Sequence, residues 1–168
     1  MRIQRLVVRL LLGLAALLVL IQLVPYGRDH TNPPTRAEPA WDSPETRALV
    51  ARACFDCHSN ETRWPWYSHV APVSWLLQHH VDDGREHLNF QQFDRPQEDA
   101  HESAEEVKEG EMPMWTYLLL HGEAELPEAE QQALIRGLEA TFGSGGHDHH
   151  EGEHHEGREP GEHAEAEQ

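Results

Sequence analysis

Five consecutive residues, Cys54-Phe55-Asp56-Cys57-His58, bring two thiols and an imidazole into one short stretch of chain. C-x-x-C-H is the spacing of a c-type haem attachment site. Each thiol can bond one vinyl group of the porphyrin, and the adjoining histidine can sit under the iron as its proximal ligand. Cys54 and Cys57 are the only cysteines in the chain. Three other chemistries use such a pair. A closed zinc site needs four ligands, usually two of them from a second Cys or His pair at knuckle spacing, and no such pair follows. A thioredoxin-like redox pair sits at a helix start between strands, and no strand pattern surrounds this one. A local disulfide leaves His58 unexplained, whereas haem attachment accounts for all three residues.

The elements that must position this motif read as helices. Ser43-Pro44-Glu45 is a helix start: serine is a good N-cap, proline suits the first helical position, and an acid favours the positive helix end. Leu49, Val50 and Ala53 form the apolar side of that helix, which runs into the motif. Trp64-Pro65-Trp66-Tyr67 follows closely, and its aromatics are expected to wall a haem pocket or anchor the core. A second helix is expected from Pro72 to about Val81, with Val73, Leu76, Leu77 and His80 on one face, ended by Asp82-Asp83-Gly84. A third spans Gln97 to Glu109, with Ala104 and Val107 inward and Gly110 as its stop. A last helix runs from Pro127 to Thr141 on Leu134, Ile135 and Leu138. Nothing alternates with period two over a useful length, so the expected fold is all-α.

The chain begins with a basic, apolar segment. From Leu6 to Val24 only Arg9, Gly13 and Gln22 fall outside the apolar set. As a helix those residues would be about 28 Å long, close to one bilayer core. Arg2, Arg5 and Arg9 with no acid before Asp29 place the N-terminus in the cytoplasm by the positive-inside rule. Residues 1–26 are thus expected to be a transmembrane signal anchor in a bacterial inner membrane, with the haem domain on the periplasmic side. A cleaved signal peptide is the competing reading, but residues 21–27 lack an A-x-A-like cleavage site. Residues 27–42 read as a linker, 43–142 as the domain, and 143–168 as a disordered tail.

The formal net charge is −17. Four arginines and no acid precede Asp29, and eight acids face one arginine after Phe142, so residues 29–142 carry −14. That balance excludes the basic face a nucleic-acid binder needs. It suits solubility and could steer a basic redox partner. The tail places His147, His149, His150, His154, His155 and His163 among acids, a mixture that can capture a divalent transition metal. It can equally act as a solubilising or pH-sensitive tail.

Residues 41–142 resemble a family of haem-binding domains found in bacterial exported proteins, small monohaem c-type cytochrome-like domains. The resemblance rests on the run from Ala53 to Tyr67, then Ala71-Pro72-Val73-Ser74-Trp75, His87-Leu88-Asn89-Phe90 and Gly110-Glu111-Met112-Pro113. It implies haem binding and electron transfer. For the sixth iron position, Met112-Pro113 fits the methionine loop that small c-type cytochromes place after the haem motif, and a thioether raises the potential relative to bis-histidine ligation. Met114 is the close alternative, and His69, His79, His80, His87 and His121 compete more weakly. Arg63 is a candidate partner for a haem propionate. Trp64, Tyr67, Trp75 and Trp115 are candidates to pack on the porphyrin, and Asn60 to brace the loop after His58 by a local side-chain bond. Two functions are compatible with these residues. The first is a membrane-tethered single-electron carrier with a six-coordinate iron. The second is a haem sensor or peroxidase-like enzyme with an exchangeable sixth ligand. Met112 and the lack of a recognisable distal acid-base set favour the carrier.

Overall fold

The computed structural model describes residues 1–143; the tail histidines His147, His149, His150, His154, His155 and His163 lie outside the described residues. Seven α-helices follow in order: α1 (Arg2–Ile21), α2 (Pro44–Ala53), α3 (Phe55–His58), α4 (Val73–His87), α5 (Ser103–Glu109), α6 (Trp115–Leu118) and α7 (Glu128–Phe142). Single 3₁₀ turns lie at Trp66–His69, Glu98–Glu102 and Gly122–Ala124. Among the described residues the only extended pairing is one isolated bridge, Ala37 to Gln92. The fold is all-α, as the sequence pattern requires.

α1 is long and apolar enough to cross a membrane, and none of it is buried against the rest of the chain. α2 starts as expected: Ser43 is the N-cap, its side chain accepts from the Thr46 amide, and Pro44 opens the helix. α2 packs across α7, and α5 packs on α7. Their shared core contains Leu49 and Val50 of α2, Val107 of α5, and Leu134 and Leu138 of α7. Phe55, Leu88 and Phe90 join it from the haem-motif side. Gly137 lets α7 approach α2: a β-carbon there would collide with the Thr46 side chain.

Two helix expectations are revised. α4 does not stop at Asp82-Asp83-Gly84 but continues to His87. Gly84 is buried inside it because the Cys57 backbone lies against it, and a β-carbon there would stand 2.9 Å from the Cys57 carbonyl oxygen. The stretch 27–42 carries no helix, yet it is bound to the domain. Arg36 and Ala37 amides donate to Gln91 O, Asn32 donates to Thr62 O, and Trp41 packs against Phe90 and Phe142 at 5.5 and 5.9 Å. The third expected helix divides into the 3₁₀ turn and α5, and Gly110 ends it in the left-handed region with φ 78°.

Candidate functional site

The C-x-x-C-H motif forms its own helical turn directly after α2. Cys54 caps α2, and the Cys57 and His58 amides both return to Cys54 O, at 3.2 and 2.9 Å. Neither thiol is in a disulfide. Burial, and secondarily the neighbouring Cys57, pushes the Cys54 thiol up to about 12; burial and then Asp56 push Cys57 up to about 11. A redox-active pair needs a thiol lowered towards neutrality, so this environment does not suit thioredoxin-like exchange. Nor, among the described residues, do three or more His, Cys, Asp or Glu side chains gather as metal ligands.

His58 is held by residues about thirty positions away. Its Nδ1 faces Leu88 O at 3.0 Å. An imidazole N–H donated to a backbone carbonyl leaves the other ring nitrogen as a free lone pair, the arrangement of a metal-ligating histidine. Burial lowers the His58 pKa against the opposing backbone hydrogen bonds from Leu88 and Gly84, which favours that neutral form. Phe90 N donates to His58 O at 2.9 Å. Asn60 N donates to Gln91 Oε1 at 3.0 Å, and Asn89 Nδ2 donates to Asn60 Oδ1 at 2.8 Å. Arg85 Nε donates to Ser59 O at 2.8 Å. Asn60, Asn89 and Gln91 are almost fully buried, so each bond is made away from water, where an unpaired polar group is costly. Asn60 therefore braces the loop by long-range contacts, including a bond to Pro34 O at 3.0 Å, not by the local bond expected.

A cleft of about 280 Å³ opens beside the motif. One wall carries Cys54, Cys57 and His58; Phe90, Leu88 and Leu138 line its interior; and Met112, Pro113, Met114, Tyr117 and Val107 form the rest. Its lining is mostly apolar, which suits a porphyrin face. Two half-buried thiols, a histidine of fixed tautomer and two thioethers around one apolar slot are a donor set that fits haem. Met112 also packs on the hydrophobic core, while Met114 borders a second cleft as well. Of the competing histidines, His80 and His87 reach the lining. His87 bonds Asp99 at 3.0 Å, and that bond raises its pKa. His121 is engaged by Tyr67 OH at 3.1 Å and by Tyr117 O at 3.0 Å. Asp83, Asp99, Glu102 and Glu106 give the cleft an acidic edge, and no Lys or Arg is among its lining residues.

Arg63 pairs with the motif itself. Its Nε and Nη2 donate to the two oxygens of Asp56 at 3.1 and 2.9 Å, and its amide adds a third bond at 3.0 Å. Tyr117 OH donates to Asp56 Oδ2 at 2.6 Å. Burial alone would raise the Asp56 pKa, but these bonds outweigh it and hold the carboxyl below its ordinary range. Asp56 thus ties the haem motif to α6, just past the methionines. Trp64 and Tyr67 line the second cleft, of about 120 Å³, rather than the first. That cleft shares Asp56, Cys57, His80, Met114 and Tyr117 with its neighbour. Trp64 is stacked on His30 at 4.5 Å. Trp75 lines neither cleft, and Trp115 is mostly exposed. Gly84, Arg85, Leu88, Asn89, Gln91 and Tyr117 are site-positioning residues that the sequence pattern did not single out for that role; a buried Asn-x-Gln after a helix was the available signal.

Residues 16–140 match the model of a family described as a haem-binding domain. The match covers more than half of the chain, and the chain belongs to that family. No curated protein and no solved structure matches it.

Proposed function

We propose that this member of the haem-binding domain family is a membrane-anchored monohaem c-type cytochrome that carries single electrons. Cys54 and Cys57 would hold haem c covalently, His58 would be the proximal ligand, and Met112 the distal one, with Met114 as the alternative. Bound there, haem supplies a reversible one-electron iron couple. The observation that carries the reading is the pairing of two unbonded, half-buried thiols with an imidazole whose Nδ1 is fixed on Leu88 O, all on one apolar cleft. The protein's own work is positional. The 84–91 segment orients His58, and the apolar lining keeps water from the iron. The Asp56 bridge keeps the methionine segment close to the motif. α1 would span the bacterial inner membrane with the domain on the periplasmic face, following the basic N-terminus. The acidic edge of the cleft suits a basic redox partner, and the tail histidines 147–155 remain a candidate site for a divalent transition metal.

The test is export together with a cytochrome c maturation system, followed by a reduced-minus-oxidised spectrum before and after denaturation. A c-type spectrum that stays with the denatured chain is expected, and Cys54→Ser with Cys57→Ser should abolish it. Haem that leaves on denaturation would overturn covalent attachment. An oxidised form without sulfur ligation that binds carbon monoxide on reduction would favour a sensor or peroxidase-like site over a carrier.

A further inference from the structure

Two stretches, 64–81 and 112–122, contain no Asp, Glu, Lys or Arg, in a chain that holds 30 acids and 13 bases. Both contribute to the second cleft, Val73, Leu76 and Leu77 from α4 and Thr116, Tyr117 and Leu120 from the other stretch, with the Asp56–Arg63 ion pair also in its lining. Large apolar side chains stand out around it. Trp66 is 79% exposed, Trp115 72%, Leu119 71% and Leu120 67%. Val70, Val73 and Leu76 are also exposed. Scattered apolar residues on a surface need no explanation, but a contiguous uncharged patch marks an interaction surface.

The chain emerging from α1 is fastened to the same place. Both halves of the Gln22 amide are used on Ala71: Nε2 donates to Ala71 O at 2.9 Å, and Oε1 accepts from Ala71 N at 3.0 Å. Arg28 donates to Gln22 Oε1 at 3.2 Å. Gly27 sits so close to the start of α4 that a β-carbon would collide with Ser74 O. His30 then packs between Trp64 and His69, at 4.5 and 4.4 Å. Leu23, Val24 and Tyr26, on the connecting stretch, are exposed and apolar. If α1 spans a bilayer, its outer end defines the membrane surface, and Ala71 lies at hydrogen-bonding distance from that end.

We infer that the uncharged face formed by Trp66, Val70, Val73, Leu76, Leu119 and Trp115 lies on the outer surface of the lipid bilayer, seating the domain against the membrane beside its own anchor. This rests on the reading of α1 as an uncleaved span. The partner is the lipid interface, for three reasons. The patch is continuous with the exit of the span. It carries tryptophans, which favour the headgroup layer. Its two stretches supply no charged side chain, and the Arg63 beside them is paired with Asp56, while the rest of the domain is acidic and would be repelled by anionic headgroups. The second cleft then opens toward lipid, and the Asp99, Glu102 and Glu106 part of the first cleft's acidic edge, on α5 and the turn before it, stays in water.

The experiment uses the full chain, exported with the maturation system and reconstituted in phosphatidylethanolamine–phosphatidylglycerol vesicles. Leu119→Cys and Val70→Cys variants carry a nitroxide, and Glu109→Cys on α5 is the water-facing control. Relaxation is compared for collision with oxygen, which concentrates in lipid, and with a water-soluble nickel chelate. At Leu119 and Val70 the nickel effect should fall at least about fivefold below the control while the oxygen effect rises, as expected for side chains in the headgroup and upper acyl layer. Nickel access equal to the control at both sites overturns the inference. So does spin–spin broadening between copies that disappears on dilution with unlabelled protein, which would assign the patch to a second copy. Two controls separate the premises. Resistance of the parent protein to alkaline carbonate extraction reports on α1 alone, and failure of the parent to take label reports that Cys54 and Cys57 are consumed.

Discussion

Gly84→Ala sets two physical effects of opposite sign against each other. Gly84 is inside α4, and in an exposed helix the exchange would stabilise by about 1 kcal/mol. Here the new β-carbon would stand 2.9 Å from the Cys57 carbonyl oxygen and 3.2 Å from the Cys57 carbonyl carbon and Cβ. Unstrained heavy-atom contacts lie near ~3.5–4.0 Å, so α4 must retreat from the motif by roughly half an ångström. The closest obstacles are backbone atoms, and no side chain can swing aside. Overpacking of this kind costs about 1–3 kcal/mol, so the variant should be about 0–2 kcal/mol less stable than its parent. In a domain of this size that is a fall in Tm of up to roughly 10 °C. The same retreat pulls Leu88 O from His58 Nδ1, so the Soret band or the reduction potential should shift as well. The assay is thermal unfolding of the exported holoprotein by circular dichroism, with potentiometry on the same samples. Gly122→Ala, where a β-carbon meets nothing within 4 Å, is the control and should be near neutral. A Gly84→Ala protein as stable as its parent, with the same spectrum and potential, would refute the close-approach argument.

Met112→Ala should keep covalent haem, lower the potential and admit carbon monoxide to the reduced iron; if nothing changes, Met114→Ala should produce those effects instead. Tyr117→Phe removes the donor to Asp56 Oδ2. A hydrogen bond to a charged group contributes about 1.5–3 kcal/mol, so a loss of that order in urea unfolding is expected, and an unchanged midpoint would show the bridge to be idle. Asp56 also fixes an acid dependence. Its carboxyl is held below its ordinary value of 3.8 by Arg63 and Tyr117 in spite of burial. A group depressed in the folded state contributes stability that is complete above about pH 5 and is lost as pH falls through the carboxylate range. Asp56→Asn should therefore be less stable at neutral pH and show a shallower decline in urea midpoint between about pH 5 and about pH 2; parallel curves for the two proteins would refute this assignment.

What could be read along the chain was local. The Ser43-Pro44 helix start and the apolar stripe of α7 depend on residues within a turn or two of one another, and both are found where expected. What could not be read depends on what lies opposite. After Asp82-Asp83, Gly84 looks like a stop because glycine ends helices more often than it admits a neighbouring backbone; only the fold shows Cys57 against it. Arg63 reads as a candidate propionate partner, and only the fold shows that it is paired with a carboxylate inside the motif itself, Asp56. Residues 27–42 lack periodicity because their bonds to the domain go singly to separate points, Gln91 and Thr62 among them.

The two sides of the cleft are held unequally, and the difference bears on how the iron site proposed above, with His58 proximal and methionine distal, would respond to challenge. On the proximal side the His58 ring, the His58 and Ser59 carbonyls and Asn60 are each tied to residues 84–91. On the distal side the Met112 amide reaches Glu106 O at 3.1 Å, and beyond the methionines the Tyr117 hydroxyl reaches Asp56. A segment with few bonds opens at lower free energy than one bonded at every residue. Ligand exchange should therefore begin with the methionine segment swinging away while His58 stays in place. Tyr117→Phe, which removes one of those ties, should speed the binding of exogenous imidazole more than it weakens the attachment of haem.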